Sequence, residues 1–118
     1  RPEGGSRIQT KSGIRGDTIE LFDEDDVAIC FTNTGASGGV TVTLPQIAQV
    51  GSGKVITITD GGNSANVNNI TVNVGDGTND RIYVGSAATS TVMNIAGISL
   101  RLVSYIDVNL TPYIIVIV

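Results

Sequence analysis

The sequence is short of the residue types that most often carry chemistry. It contains no histidine, no tryptophan, one cysteine (Cys30) and few aromatic residues. The lack of histidine removes the most common general base and the most common transition-metal ligand in proteins. One cysteine excludes an internal disulfide and a zinc site built from cysteine alone. Because Cys30 lies among Val27, Ile29 and Phe31, we expect a small buried side chain and not a nucleophile.

Charge is scarce over most of the chain. Residues 1–26 hold 11 of the 18 charged side chains, which leaves seven for the other 92 positions. The net charge of −4 argues against nucleic acid as a partner, because phosphate binding needs a basic surface. A body with so few charges is poorly suited to stand alone in water, so we expect other copies of the chain to cover much of its surface.

Long apolar segments are also missing. No apolar run approaches the ~20 residues that cross a bilayer as a helix, so we expect no membrane insertion. The N-terminus shows no basic-then-apolar signal peptide. Because the chain begins at Arg1 and not at methionine, we expect a fragment or a processed product.

Alternation of apolar and polar residues is the dominant pattern, and no stretch repeats convincingly at helical spacing. Residues 40–59 place β-branched side chains at alternate positions on both sides of a turn that Pro45 opens, which predicts a hairpin. One helical turn is expected over residues 46–50. The apolar run 27–32 predicts a strand buried on both faces. Further strands are predicted over residues 18–22, 70–74, 82–84, 92–95, 98–104, 106–110 and 113–118.

These patterns predict an all-β fold of short strands joined by Gly- and Asn-rich turns. The spacing of the strands fits a small sandwich or a stacked, prism- or solenoid-like shaft. Residues 1–26 are interpreted as a charged arm or linker with a short strand, and residues 27–118 as a β-rich domain. The core shared between subunits is predicted to contain Val42, Leu44, Ile58, Val72, Ile82, Leu100, Leu102, Ile115 and Ile117.

The end of the chain supports the expectation of assembly. Residues 113–118 read YIIVIV, with no polar alternation. An exposed strand of this kind would aggregate, so both of its faces must be covered. We expect neighbouring subunits to provide that cover.

Carboxylates are the only side chains that suggest a site. The run 23–26, with Asp17 and Glu20 nearby, offers oxygen ligands for calcium, but it lacks the alternate spacing and the glycine of a calcium loop. Residues 76–80 are interpreted as a turn held by Asx hydrogen bonds. A glycosidase pair is the remaining alternative, but aromatic residues that would hold a sugar are few. We therefore predict no enzyme and assign no catalytic, cofactor-binding or metal-binding residue. The carboxylates that such a pair would draw on are Asp60, Asp76, Asp80 and Asp107.

Six short segments follow one another along the chain: VTVTLP at 40–45, GSGKVITITD at 51–60, NVNNITVN at 66–73, DRIYVGS at 80–86, SLRLVS at 99–104 and YIIV at 113–116. In order and spacing they resemble a widespread domain of phage and virus fibre proteins, found in tail fibres, tailspikes and head fibres. The resemblance covers about two-thirds of the chain. Family members usually have Gly and Trp before the final Ile-Ile, where this chain has Thr111, Pro112 and Tyr113. Residues 1–31 have no counterpart.

The resemblance implies a homotrimer, intertwined or side by side, that forms a rigid segment or the tip of a virion fibre and has no catalytic residues. The N-terminal arm is then expected to contact other virion proteins. Three alternatives stay open: a receptor- or glycan-binding tip that uses the loops 33–39 and 60–69, a capsid decoration protein, and a bacterial adhesin module unrelated to virions.

Overall fold

The structure is a computed structural model that describes residues 8–106 and 113–117. Within these ranges the chain forms eleven strands and one helical turn. In chain order they are β1 (Thr10–Arg15), β2 (Thr18–Glu20), β3 (Val27–Gly35), β4 (Val40–Thr43), α1 (Ile47–Val50), β5 (Val55–Asp60), β6 (Ile70–Asn73), β7 (Asp80–Tyr83), β8 (Ala87–Ala88), β9 (Ser90–Met93), β10 (Ser99–Tyr105) and β11 (Tyr113–Ile117). The strand predicted over residues 106–110 lies outside the described residues, apart from Ile106.

The strands form two mixed sheets, which confirms the predicted all-β fold. One sheet has seven strands in the order β1-β3-β5-β10-β11-β7-β8, and the other has four in the order β2-β4-β6-β9. β1, β3 and β5 are parallel neighbours, as are β2, β4 and β6. β10 and β9 then add antiparallel strands to β5 and β6.

The chain passes from one sheet to the other at every step between β1 and β6. β4 and β5 therefore lie in different sheets, and the hairpin predicted over residues 40–59 is wrong. Between them α1 carries the chain across, so the predicted helical turn is confirmed. Gly51 ends this turn at a φ of 77°, a conformation that glycine adopts without steric cost.

The inner faces of both sheets enclose one hydrophobic core, to which α1 contributes Ile47. Two of the predicted core residues are less buried than expected: Leu100 is half-buried, and Ile117, the last residue of β11, is 38% exposed. That copies of the chain share this core stays a prediction. The predicted core residues that are buried within one chain are Val42, Leu44, Ile58, Val72, Ile82, Leu102 and Ile115.

The N-terminal region contributes to both sheets. β2 confirms the short strand predicted there, and β1, which was hidden from the sequence pattern, pairs in parallel with β3. The inward position of β1 is Gly13, where a Cβ would come within 2.8 Å of Ile19. Residues 10–15 and 18–20 are therefore paired within the two sheets, and the division of the chain into an arm over residues 1–26 and a domain over residues 27–118 stays a prediction.

Two further expectations concern strands thought to be covered on both faces. In β3 the alternate residues Ala28, Cys30 and Thr32 are buried, whereas Phe31 on the opposite face is 37% exposed, so within one chain β3 is fully buried on one face only, and burial of its other face stays a prediction. β11 lies between β10 and β7 in its own chain's sheet. Its backbone edges are thus paired internally, and cover of its outer face by neighbouring subunits stays a prediction.

Candidate functional site

The outer face of the seven-stranded sheet is the most distinctive surface of the described chain. Side chains alternate across a sheet, so the residues next to the buried ones point away from the core. On β10 these are Arg101, Val103 and Tyr105, and on β11 they are Ile114 and Val116. Neither strand places an acidic side chain on this face.

An unbroken apolar row crosses four strands of this face. Val103 of β10 lies opposite Val55 of β5 and opposite Val116 of β11. Val116 in turn lies beside Tyr83 of β7. We call these four residues the apolar row. The three valines are half-buried by their neighbours, and Tyr83 is 43% exposed.

A second apolar group lies toward the other edge of the same face. Val27, Ile29 and Phe31 alternate along β3, and Ile14 of β1 lies opposite Phe31. Phe31 and Ile14 are 37% and 39% exposed. Between this group and the apolar row run hydroxyl side chains and Arg101, which faces Thr57 of β5.

Arg101 is the most exposed charge on this face. It forms no ion pair within the described part of the chain. Arg81, on β7, differs because its guanidinium donates hydrogen bonds to the carbonyl oxygens of Gly77 (2.9 Å) and Asp80 (2.7 Å). The face is therefore apolar with weakly compensated positive charge.

The outer face of the four-stranded sheet has the opposite character. Thr18, Thr41 and Thr71 form one cross-strand row on β2, β4 and β6. The next row contains Glu20, Thr43 and Asn73, and Val92 of β9 is the exception, being 50% exposed beside Thr71. One side of the molecule is thus suited to water and the other to contact with an apolar partner.

The two loops proposed from the sequence as a binding tip lie against each other. The Asn68 side-chain amide donates a hydrogen bond to the Thr32 carbonyl oxygen (2.8 Å), and the Val40 amide donates to the Asn69 carbonyl oxygen (3.2 Å). Gly39 packs so closely on the Asn69 backbone that a Cβ there would collide with it. Residues 38–41, 67–69 and 71 line an open groove at this junction.

Asp60 organises the second of these loops. Its buried carboxylate accepts hydrogen bonds from the Thr32 hydroxyl (2.5 Å) and from the backbone amides of Gly62 (3.1 Å), Ala65 (2.9 Å) and Gly97 (2.9 Å). Burial raises the pKa of Asp60, but the hydrogen bonds together outweigh it, and the pKa lies below its usual value. All four donors hold structure in place, so Asp60 is a structural carboxylate.

The acidic run 23–26 forms the predicted turn. Asp25 pairs with Lys11 at 3.0 Å, and Asp26 pairs with Lys54 at 3.0 Å. Asp23 and Glu24 are exposed. The run thus divides into two carboxylates that hold the fold and two that point to solvent.

The loop 76–80 also contains the predicted Asx turn, since the Asp76 carboxylate accepts hydrogen bonds from the amides of Thr78 (2.9 Å) and Asn79 (3.2 Å). Asp80 is 1% exposed; one carboxylate oxygen accepts a hydrogen bond from the Ile47 amide (3.1 Å), and the other has no hydrogen-bond partner among residues 8–106 and 113–117. Burial raises the pKa of Asp80. Asp107, the fourth carboxylate of the hypothetical glycosidase pair, lies outside the described residues. Among those that are described, no three His, Cys, Asp or Glu side chains are arranged to hold a metal ion.

Cys30 is buried, as predicted. Desolvation, with a smaller contribution from the charge of Asp60, raises the pKa of its thiol to about 12. A thiol so far from its thiolate form is a poor nucleophile at neutral pH.

Comparison with known proteins leaves the family open. No protein-family model matches the chain, and no curated protein matches it. Within the described residues, no helix is long and apolar enough to span a membrane.

Sequence reasoning missed the contrast between the two outer faces. As a local pattern, the outward residues of β5 look like those of β4, since both strands carry threonine at alternate positions. Only the pairing of strands shows that Val55 lies in one row with Val103 and Val116. The signal that was available is the run 113–116, which reads YIIV and is apolar at every position.

Proposed function

We propose that this chain is a non-enzymatic structural module that assembles with two further copies of itself as a segment or tip of a phage or virus fibre. The observation that carries the proposal is the contrast between the two outer faces. The outer face of the seven-stranded sheet carries the apolar row and the apolar side chains of β3. In an assembly this face would be removed from water. The threonine-bearing face of the other sheet would stay in contact with solvent.

The order of the six segments that resemble fibre domains supports the virion as the location. The alternation of β1 to β6 between two sheets, in each of which neighbouring strands are parallel, supports a finer proposal: the first six strands stack as a short solenoid-like shaft. β10, β11, β7 and β8 extend one of its sheets, and β9 extends the other. We propose that other virion proteins contact the N-terminal region.

Two measurements test this proposal. Light scattering over a range of concentrations should give three times the chain mass of 12.2 kDa. Antibody raised against the chain should label fibres on intact particles. Label spread over the capsid shell would favour a decoration protein instead, and no label on any particle would favour an adhesin.

A second candidate, a receptor- or glycan-binding tip, is favoured by the junction of the two loops. Glycan binding there would use amide and hydroxyl groups in the groove of residues 38–41, 67–69 and 71. A glycan array should then give hits that Asn69→Ala removes and that Asn94→Ala, an exposed asparagine outside the groove, leaves intact. An array without reproducible hits would exclude this candidate for the glycans tested.

A further inference from the structure

We infer that the outer face of the seven-stranded sheet docks, head to tail, on the acidic turn between β2 and β3 of a neighbouring copy, with Arg101 of one copy facing Asp23 and Glu24 of the next. The inference rests on the proposed assembly and adds which surfaces meet in it.

Symmetry is the first argument. Contact between identical patches would place Arg101 of one copy near Arg101 of another, which is unfavourable for like charges. A closed ring of three copies is built instead from two different patches, each of which meets the other on the next subunit. The chain therefore needs a second patch that complements an apolar, positively charged face.

The second patch can be identified by its unpaired acidic side chains. Asp25 and Asp26 already pair with Lys11 and Lys54 inside the chain. Asp23 and Glu24, at the tip of the same turn, are exposed and have no basic partner among the described residues. The turn is held rigidly by these pairs and by the Phe22 amide, which donates to the Asp25 carboxylate at 2.8 Å. A fixed acidic tip is thus available to meet Arg101.

Apolar contact would accompany the charges. Phe22 precedes the acidic tip, is 47% exposed, and lies under the Lys11 ammonium at 4.3 Å from its ring centroid. In the head-to-tail arrangement, Phe22 can reach the apolar row beside Arg101. An apolar centre with charges near it matches the usual composition of protein interfaces.

The size of the face is adequate. Seven strands about 4.8 Å apart and strands about 17 Å long give a plane of roughly 500–600 Å² before side-chain relief is counted. Stable interfaces bury roughly 800 Å² on each partner, a similar scale once side chains are included. The turn 22–26 alone would cover only the part of this face around Arg101, so the surface next to the turn on the neighbouring copy must cover the rest; this favours a whole second copy over a short peptide as the occupant.

Charge reversal tests the inference. Arg101→Glu should weaken the trimer at least tenfold in its dissociation constant, as judged by sedimentation at several concentrations, because it replaces an attraction with a repulsion. Asp23→Lys combined with Glu24→Lys should weaken it similarly. The chain that carries all three changes should recover most of the lost affinity. Thr43→Glu, which adds a negative charge to the other sheet's outer face, is the control and should leave the mass unchanged.

The outcomes separate the two proposals. A wild-type trimer that Arg101→Glu leaves intact, or that the triple variant fails to restore, overturns the docking geometry but not the assembly. A wild-type monomer at every concentration overturns both. Arg101 is exposed, so its variant should fold, and far-ultraviolet circular dichroism checks this. Arg101→Gln provides a second, neutral variant, which should give an intermediate loss and a weaker salt dependence than the wild type.

Discussion

Val103 lies directly opposite Val116 on the antiparallel pair β10–β11, and both side chains point away from the core. Aliphatic pairs opposite each other stabilise a sheet locally, but both side chains stay partly exposed to solvent in a single chain. The pair extends through Val55 and Tyr83 into a row across four strands. Burying this row against a second protein surface would be more favourable than leaving it in contact with water.

Replacing one member of this row should affect assembly more than folding. We expect Val103→Asp to lower the solution mass toward that of one chain, because it places a carboxylate in the centre of the apolar row. Val92→Asp makes the same change on the outer face of the other sheet and should not alter the mass. Circular dichroism should show both variants folded. Equal effects of the two substitutions would contradict a special role for the apolar row.

The Asp60 carboxylate should be important for stability. Asp60→Asn keeps the shape but presents an NH₂ group to donors that need an acceptor, and we expect a loss of about 2–3 kcal/mol in the free energy of unfolding. Urea unfolding at neutral pH measures it. Asp76→Asn, at an exposed Asx turn, is the control and should cost clearly less than Asp60→Asn. A loss of stability for Asp60→Asn that is no larger than the loss for Asp76→Asn would contradict a special role of the buried network around Thr32.

Acidification should first stabilise the protein and then destabilise it. The pKa of Asp80 is raised in the folded chain, so the cost of burying its charge disappears as the pH falls through that pKa toward the usual value near 3.8. The pKa of Asp60 is lowered, so its stabilisation is present above about 3.8 and is lost at still lower pH. Urea midpoints measured between neutral and acidic pH should therefore pass through a maximum. Asp80→Asn should remove the rising part, and an unchanged profile in that variant would contradict the assignment.

The contact between the two loops should be sensitive to a single methyl group. A Cβ at residue 39 would overlap the Asn69 backbone, whereas one at residue 77 would meet nothing within 4 Å. Gly39→Ala should thus cost at least about 2 kcal/mol, near the upper part of the overpacking range. Gly77→Ala should be close to neutral, and thermal unfolding compares the two. If Gly39→Ala melts like the wild type, the loops do not pack as described.

Local alternation was sufficient to predict nearly every strand, because a half-buried strand needs apolar residues at alternate positions. It could not predict β1, where Gly13 occupies the inward position and removes the apolar signal, and it did not predict β8, which has only two residues. Nor could it assign strands to sheets: residues 40–43 and 55–60 alternate alike, and the helical turn at Ile47 that separates them is compatible with a hairpin or a crossover. The paired loops at Gly39 and Asn69 depend on contacts distant in sequence, which alternation does not report.

The most direct test of the central claim, that copies of this chain cover the outer face of its seven-stranded sheet, is the mass of the wild-type protein in solution across a wide range of concentrations. Sedimentation equilibrium should give three times 12.2 kDa down to low concentration, with Val103 and Val116 protected from water. A folded, cooperatively melting protein of one chain mass at every concentration would contradict it.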